Sequence, residues 1–214
     1  MLQGDAATGP GLVDQAFVLD GDGDFVEVPH NSALNFGTGD FTVALWVFFN
    51  DMAGEQVLAE KYIQRFSGFS QGWTFTKLED NVLLLAMAEA SGGWAGVSTS
   101  DPLPITAGTW NHFAATRRSG RLTTFVNGVP VASGKGPSVN ADSSSSLKFG
   151  HRGSPEDTPG SEDESGFFLN GRIDEVQIFV GRALPTAQIR SIFETGRAGM
   201  CKKLPGGKCK ELPH

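Results

Sequence analysis

Alternating apolar and polar residues dominate the chain, and the longest such run sets its architecture. Residues 41–49 read FTVALWVFF, with Phe41, Val43, Leu45, Val47 and Phe49 on one face and Trp46 and Phe48 on the other. A strand apolar on both faces belongs inside a sandwich rather than at its edge. Shorter strands are predicted at 17–19, 25–28, 56–61, 72–77, 82–88 and 147–149. Residues 110–117 (WNHFAATR) and 121–126 (RLTTFV) form a predicted hairpin, and Asn127-Gly128 then turns the chain into a strand at 129–133. Asn-Gly turns tightly because both residues tolerate positive φ. The same signal at Asn170-Gly171, between FFL and the alternating Val176, Ile178 and Val180, predicts a terminal hairpin. Pro185 at a first helical position, then Ile189, Ile192 and Phe193 at helical spacing with Gly196 as a stop, predict one short C-terminal helix. Turn signals at about 8–12-residue spacing complete the picture of an all-β, two-sheet antiparallel sandwich or jelly roll.

Length and composition narrow this further. A chain of 214 residues suits a single all-β domain, expected over 1–200 with its core at 17–196. Residues 1–13 read as a loose leader, and 201–214, basic and rich in Gly and Pro, as a tail or linker. Cys201 and Cys209 in that tail allow at most one bridge, worth roughly 2–3 kcal/mol on chain-entropy grounds, or else two free thiols. The net charge of −7, from 17 basic and 24 acidic residues, argues against a nucleic-acid partner. Five of the acids, Glu156, Asp157, Glu162, Asp163 and Glu164, fall in one nine-residue window. No apolar run approaches the roughly 20 residues that cross a bilayer, and the N-terminus carries no basic-then-apolar signal. The chain therefore reads as cytosolic or, the preferred reading, as a module of a longer exported protein.

Three segments together resemble a known family: DGDGDFVEVPHNSALNFGTGDFTVALWV, TWNHFAATRRSGRLTTFVNGVPVAS and FFLNGRIDEVQIFVGRALPTAQIRSIFETG. In order, they are similar to the laminin-G-like (LamG-like) modules of the concanavalin A-like jelly-roll superfamily, which also contains the pentraxins. The resemblance runs from Phe17 to Gly196. It implies two antiparallel sheets of about six or seven strands each, and binding rather than catalysis. It also implies glycan ligands, frequent calcium, and an extracellular or cell-surface setting as an accessory module. The ending GRAGMCKK resembles the end of such modules in large bacterial exported proteins.

The candidate residues fall into three groups. The first is the acidic loop at 151–166: five crowded carboxylates repel one another, and a calcium ion with six to eight oxygen ligands would relieve that repulsion. Pentraxins take calcium carboxylates from the corresponding loop, so by position Glu156 and Asp157 match, while Glu162, Asp163 and Glu164 are additional. The alternative is a solvated acidic loop. The second group is the turn with Asp20, Asp22 and Asp24, where an EF-hand is excluded by Phe25 in the glycine's place and Asn31 in the bidentate Glu's. The resemblance implies a structural calcium near this turn, with Asp174 joining Asp22 or Asp24; the alternative is an Asp-rich turn and an Asp174 bonded to backbone amides. The third group is aromatic. Trp94, Phe66 and Phe69 lie in Gly/Ser-rich stretches expected to be loops, where an apolar side chain suits ligand contact, with Gln64, Arg65 and Gln71 as polar neighbours and Trp73 a further candidate. Trp46 and Trp110 fall where the family buries a core aromatic, and His112 is expected to be structural.

Catalysis has little support. Related glucanases carry E-x-D-x-x-E on one strand, but Ile173-Asp174-Glu175 follows Arg172, so the nucleophile position is vacant. The chain is thus expected to be a non-catalytic, calcium-assisted carbohydrate-binding (lectin) module. Its alternatives are a structural or adhesive module that contacts protein and, less favoured, a glycoside hydrolase.

Overall fold

A computed structural model describes residues 1–63, 70–153 and 166–196. Its strands are β1 (Leu2–Gln3), β2 (Ala7–Pro10), β3 (Gln15–Asp20), β4 (Phe25–Val28), β5 (Phe41–Phe49), β6 (Gln56–Ile63), β7 (Gln71–Lys77), β8 (Leu83–Ala88), β9 (Trp94–Ser98), β10 (Trp110–Arg118), β11 (Arg121–Val126), β12 (Val129–Lys135), β13 (Leu147–Phe149) and β14 (Asn170–Val180), and helix α1 (Thr186–Thr195) follows. Sheet A has the order β1-β4-β13-β6-β7-β8-β9 and sheet B the order β12-β11-β10-β5-β14-β3-β2, seven antiparallel strands each, a jelly-roll sandwich.

The apolar run at 41–49 is β5, flanked by β10 and β14 in the middle of sheet B. Its inner residues Phe41, Val43, Leu45, Val47 and Phe49 pack in one cluster with Trp73, Phe75, Leu85 and Met87 of sheet A. Each such side chain, fully buried, contributes about 1.5–3 kcal/mol. On the outer face, Ala44 joins Ala114, Phe125, Leu184 and Ile189 in a second cluster under α1. Trp46 stacks on Phe193 at 5.7 Å and meets His112 edge-on at 5.3 Å. The Thr42 hydroxyl donates to the Arg182 carbonyl (3.0 Å) and accepts from the Leu184 amide (2.8 Å), which fixes the approach to α1. Pro185 precedes the helix as its extended cap residue instead of entering its first turn.

The turns at Ser119-Gly120 (φ 48° and 77°) and Asn127-Gly128 (φ 51° and 76°) have the left-handed pairs a two-residue hairpin needs. Asn170-Gly171 is different. These residues open the eleven-residue β14, which pairs with β3 on one side and β5 on the other, so the expected hairpin does not form. Glycine is demanded there by crowding: a Cβ on Gly171 would lie 2.0 Å from the Phe48 carbonyl oxygen. The alternation along β14 shifts at a bulge between Asp174 and Gln177, where Glu175 takes φ 48°. The expected leader is also ordered, since β1 edges sheet A and β2 edges sheet B. Trp94, expected in a loop, begins edge strand β9.

Candidate functional site

On the outward face of sheet A, strand register lines up two rows. Tyr62, Gly72, Ala88 and Trp94 form one, and Lys148, Glu60, Thr74, Ala86 and Gly96 the next. Toward β9 the floor is therefore Gly and Ala. Trp94 is 57% exposed, and its indole lies along its own strand: a Cβ on Gly96 would sit 2.6 Å from the ring carbons Cζ2 and Cη2. Glycine at 96 is what leaves room for the ring there. The exposed ring offers a flat ligand one face to stack on, whereas Ala86 and Ala88 beside it are themselves buried.

Polar groups occupy the other end of these rows. Arg152 bridges Glu55 (2.7 Å) and Glu60 (3.5 Å), reaches the Thr74 hydroxyl (3.3 Å), and lies over the Phe167 ring at 4.9 Å. The Glu60 carboxylate also accepts from the Gly153 amide (3.0 Å) and the Thr74 hydroxyl (3.1 Å). Burial raises its pKa, against the opposing pull of Arg152 and the Gly153 amide. Backbone bonds between Arg152 and Gly166 (3.1 and 3.3 Å) close the stem of the segment between them. Beside that stem His151 stacks on Phe168 at 4.6 Å and meets Phe25, tilted, at 4.6 Å, and desolvation lowers its pKa to about 4.

Among the described residues, one group of three carboxylates has its oxygens within 4.8 Å of one another: Asp5, Asp20 and Asp24. Buried Asp24 accepts from the amides of Asp5 (2.8 Å) and Asp20 (3.2 Å). Its pKa is raised, by burial first and also by the charges of Asp20 and Asp5. Hard oxygen donors in a like-charged cluster fit calcium. Asp22, exposed, lies outside this group, its amide donating to Asp20 (2.7 Å). Asp174 does not approach it either. Asn170 is opposite Asp20, so Asp174 lies four strand residues, about 13 Å, further along. Its buried carboxylate instead accepts from the amides of Val13 (2.9 Å) and Glu175 (2.7 Å) and pins the N-terminal segment. The pairing of Asp174 with Asp22 or Asp24 is thereby corrected, and the amide-bonded alternative describes it. Sequence reasoning missed Asp5 because it lies in the segment read as a loose leader.

Trp73 is 1% exposed and stacks on Phe36 at 5.2 Å inside the core, so it is withdrawn as a ligand contact: β7 turns it inward. Gln71, half-buried two residues earlier, shares the alternation of Trp73 and not the outward face. Arg65, Phe66, Phe69, Glu156, Asp157, Glu162, Asp163, Glu164, Cys201 and Cys209 lie outside the described residues. Trp46 and His112 are buried under α1, as the structural reading expects.

Two-sheet jelly rolls are found in lectin domains among other proteins. The chain belongs to the concanavalin A-like lectin/glucanases superfamily, whose laminin G model matches residues 20–190. No curated protein matches the chain. Among solved structures it is similar to the binding domain of Paraclostridial Mosquitocidal Protein 1, with TM-score 0.67, 19% identity, and coverage of 91% of this chain and 47% of that one. It is similar also to the binding domain of Botulinum Neurotoxin DC in complex with SialylT (TM-score 0.61, 14% identity, 91% and 46% covered). A third is domain 4 of AbnA, a GH43 extracellular arabinanase from Geobacillus stearothermophilus, in complex with arabinotriose (TM-score 0.64, 22% identity, 88% and 81% covered). The chain spans about half the length of the two toxin binding domains. At these identities the likeness is one of fold.

Proposed function

We propose that this is a non-catalytic glycan-binding module of a larger extracellular protein, with its ligand on the outward face of sheet A and Trp94 as the stacking platform. The observation that carries the reading is the Trp94 indole, 57% exposed and lying over Gly96 along its own strand. The complexes of similar binding domains with SialylT and arabinotriose support the ligand class. Hydrolysis is disfavoured because the Glu60 carboxylate is taken up by Arg152, Thr74 and the Gly153 amide. Calcium, held by Asp5, Asp20 and Asp24, would tie the N-terminal segment to the β3–β4 turn and steady the sandwich.

Calorimetry against a panel of polysaccharides, arabinan included, tests this. The wild-type chain is expected to bind at least one, and Trp94→Ala to weaken that binding tenfold or more, which is about 1.4 kcal/mol. No binding to any glycan would instead favour a structural or adhesive module. Sugar release from any of them would revive the hydrolase.

A further inference from the structure

We infer that the outer face of sheet B carries a second binding site, for an acidic saccharide, where the β10–β11 turn meets the start of α1. Arg118 stands directly opposite Arg121 across β10 and β11, and Arg121 directly opposite Lys135 across β11 and β12. All three are exposed. Like charges facing each other across a sheet are destabilising, so this row weakens the sheet that displays it, in a chain whose net charge is −7. The hydrogen bonds of the two arginines do not neutralise it: Arg118 donates to the Ala183 carbonyl (2.8 Å) and Arg121 to the Ser133 hydroxyl (3.4 Å). Asp40 stands beside the turn, where its carboxylate accepts from the Ser119 amide (2.7 Å).

The row borders an open groove of about 720 Å³, completed by Thr123 and by Thr186 and Ala187 of α1, and among the described residues no acidic one lines it. A groove of that size suits a saccharide of more than one ring. The guanidinium pair favours a carboxylate or sulfate, which it can hold through paired charge-assisted bonds. The threonine hydroxyls serve the sugar's own hydroxyls. The helix end has the same sign: α1 has no side-chain cap and no acid in its first turn, and the first intrahelical amide bond is that of Gln188, so the amides of Thr186 and Ala187 have no helical acceptor. Trp94 is on the outward face of the other sheet, although its edge strand β9 meets the end of β12 at Gly136 and Ala95.

The test is titration of the full chain with tetragalacturonate, with its methyl ester, and with a heparin-derived tetrasaccharide. At least one acidic oligosaccharide is expected to bind: tetragalacturonate binding shows that carboxylates suffice, and binding of the heparin fragment alone, which carries both groups, that sulfate is required; where tetragalacturonate binds, its ester should bind at least tenfold more weakly. Arg121→Gln/Lys135→Gln should weaken the acidic ligand tenfold or more while melting no lower than wild type, since it removes repulsion. Trp94→Ala should leave this binding unchanged, which keeps the outcome separate from that of the Trp94 site. The proposal is overturned if neither acidic oligosaccharide binds, if the ester matches the acid that does, or if the double variant binds as well as wild type.

Discussion

Gly96 and Trp94 are a matched pair, one absent side chain making room for one large ring. Gly96→Val should push the indole off its strand, because the new Cβ meets ring carbons at 2.6 Å. The ring is the mobile partner, so the melting temperature should move by only a degree or two while glycan affinity falls as in Trp94→Ala; an unchanged affinity would contradict it. His112 is the second telling residue. Both its ring nitrogens are buried without partners among the described residues, and desolvation lowers its pKa to about 4. Below its ordinary value near 6.5, the unfolded chain takes up a proton that the folded chain refuses. Its contribution is therefore complete above pH 6.5 and is lost as pH falls toward 4, by roughly 3 kcal/mol. His151, lowered to a similar value, acts with the same sign. Denaturant melts across pH 4–7 should steepen accordingly, and His112→Phe should flatten the slope; an unchanged slope would remove His112 as its source.

At the scale of elements, β14 is the strand on which sheet B closes. Gly171→Ala places a Cβ 2.0 Å from backbone, where no side chain can give way, so a loss of about 3 kcal/mol or failure to fold is expected, measured by urea denaturation. The N-terminal strands act as parts of the sandwich. Deleting residues 1–13 removes β1 and β2 and leaves the carboxylates of Asp24 and Asp174 without the amides of Asp5 and Val13. The deleted chain should melt well below the full one, whereas trimming a loose leader would change nothing.

At the scale of the molecule, calcium and the two faces are separable properties. An ion bound only by the folded state stabilises it by about 2.7 kcal/mol at a hundredfold excess over its dissociation constant. A melting curve in calcium should therefore lie above one in chelator, and Asp5→Asn should shrink the difference. No shift in the wild-type chain would dismiss the Asp5, Asp20 and Asp24 cluster as a metal site.

The strand pattern, the jelly-roll class, the short helix and both left-handed hairpin turns were legible in the chain, because alternation and turn chemistry are local properties that survive without tertiary context. Trp94 was legible as an exposed aromatic for the same reason: its Gly-rich neighbours offer it no core. Tertiary structure alone decided the rest. Asn170-Gly171 looks like a turn locally, yet pairing with β3 and β5 on both sides holds it extended. Asp5 gains meaning only when β1 and β2 bring it beside Asp24, and Asp174 loses its assigned role because register carries it away along β14. The charged row of Arg118, Arg121 and Lys135 exists only across three paired strands. Spacing along one strand is written in the sequence, whereas neighbours across strands are fixed by register, which is settled by long-range burial and by the close approach of backbones.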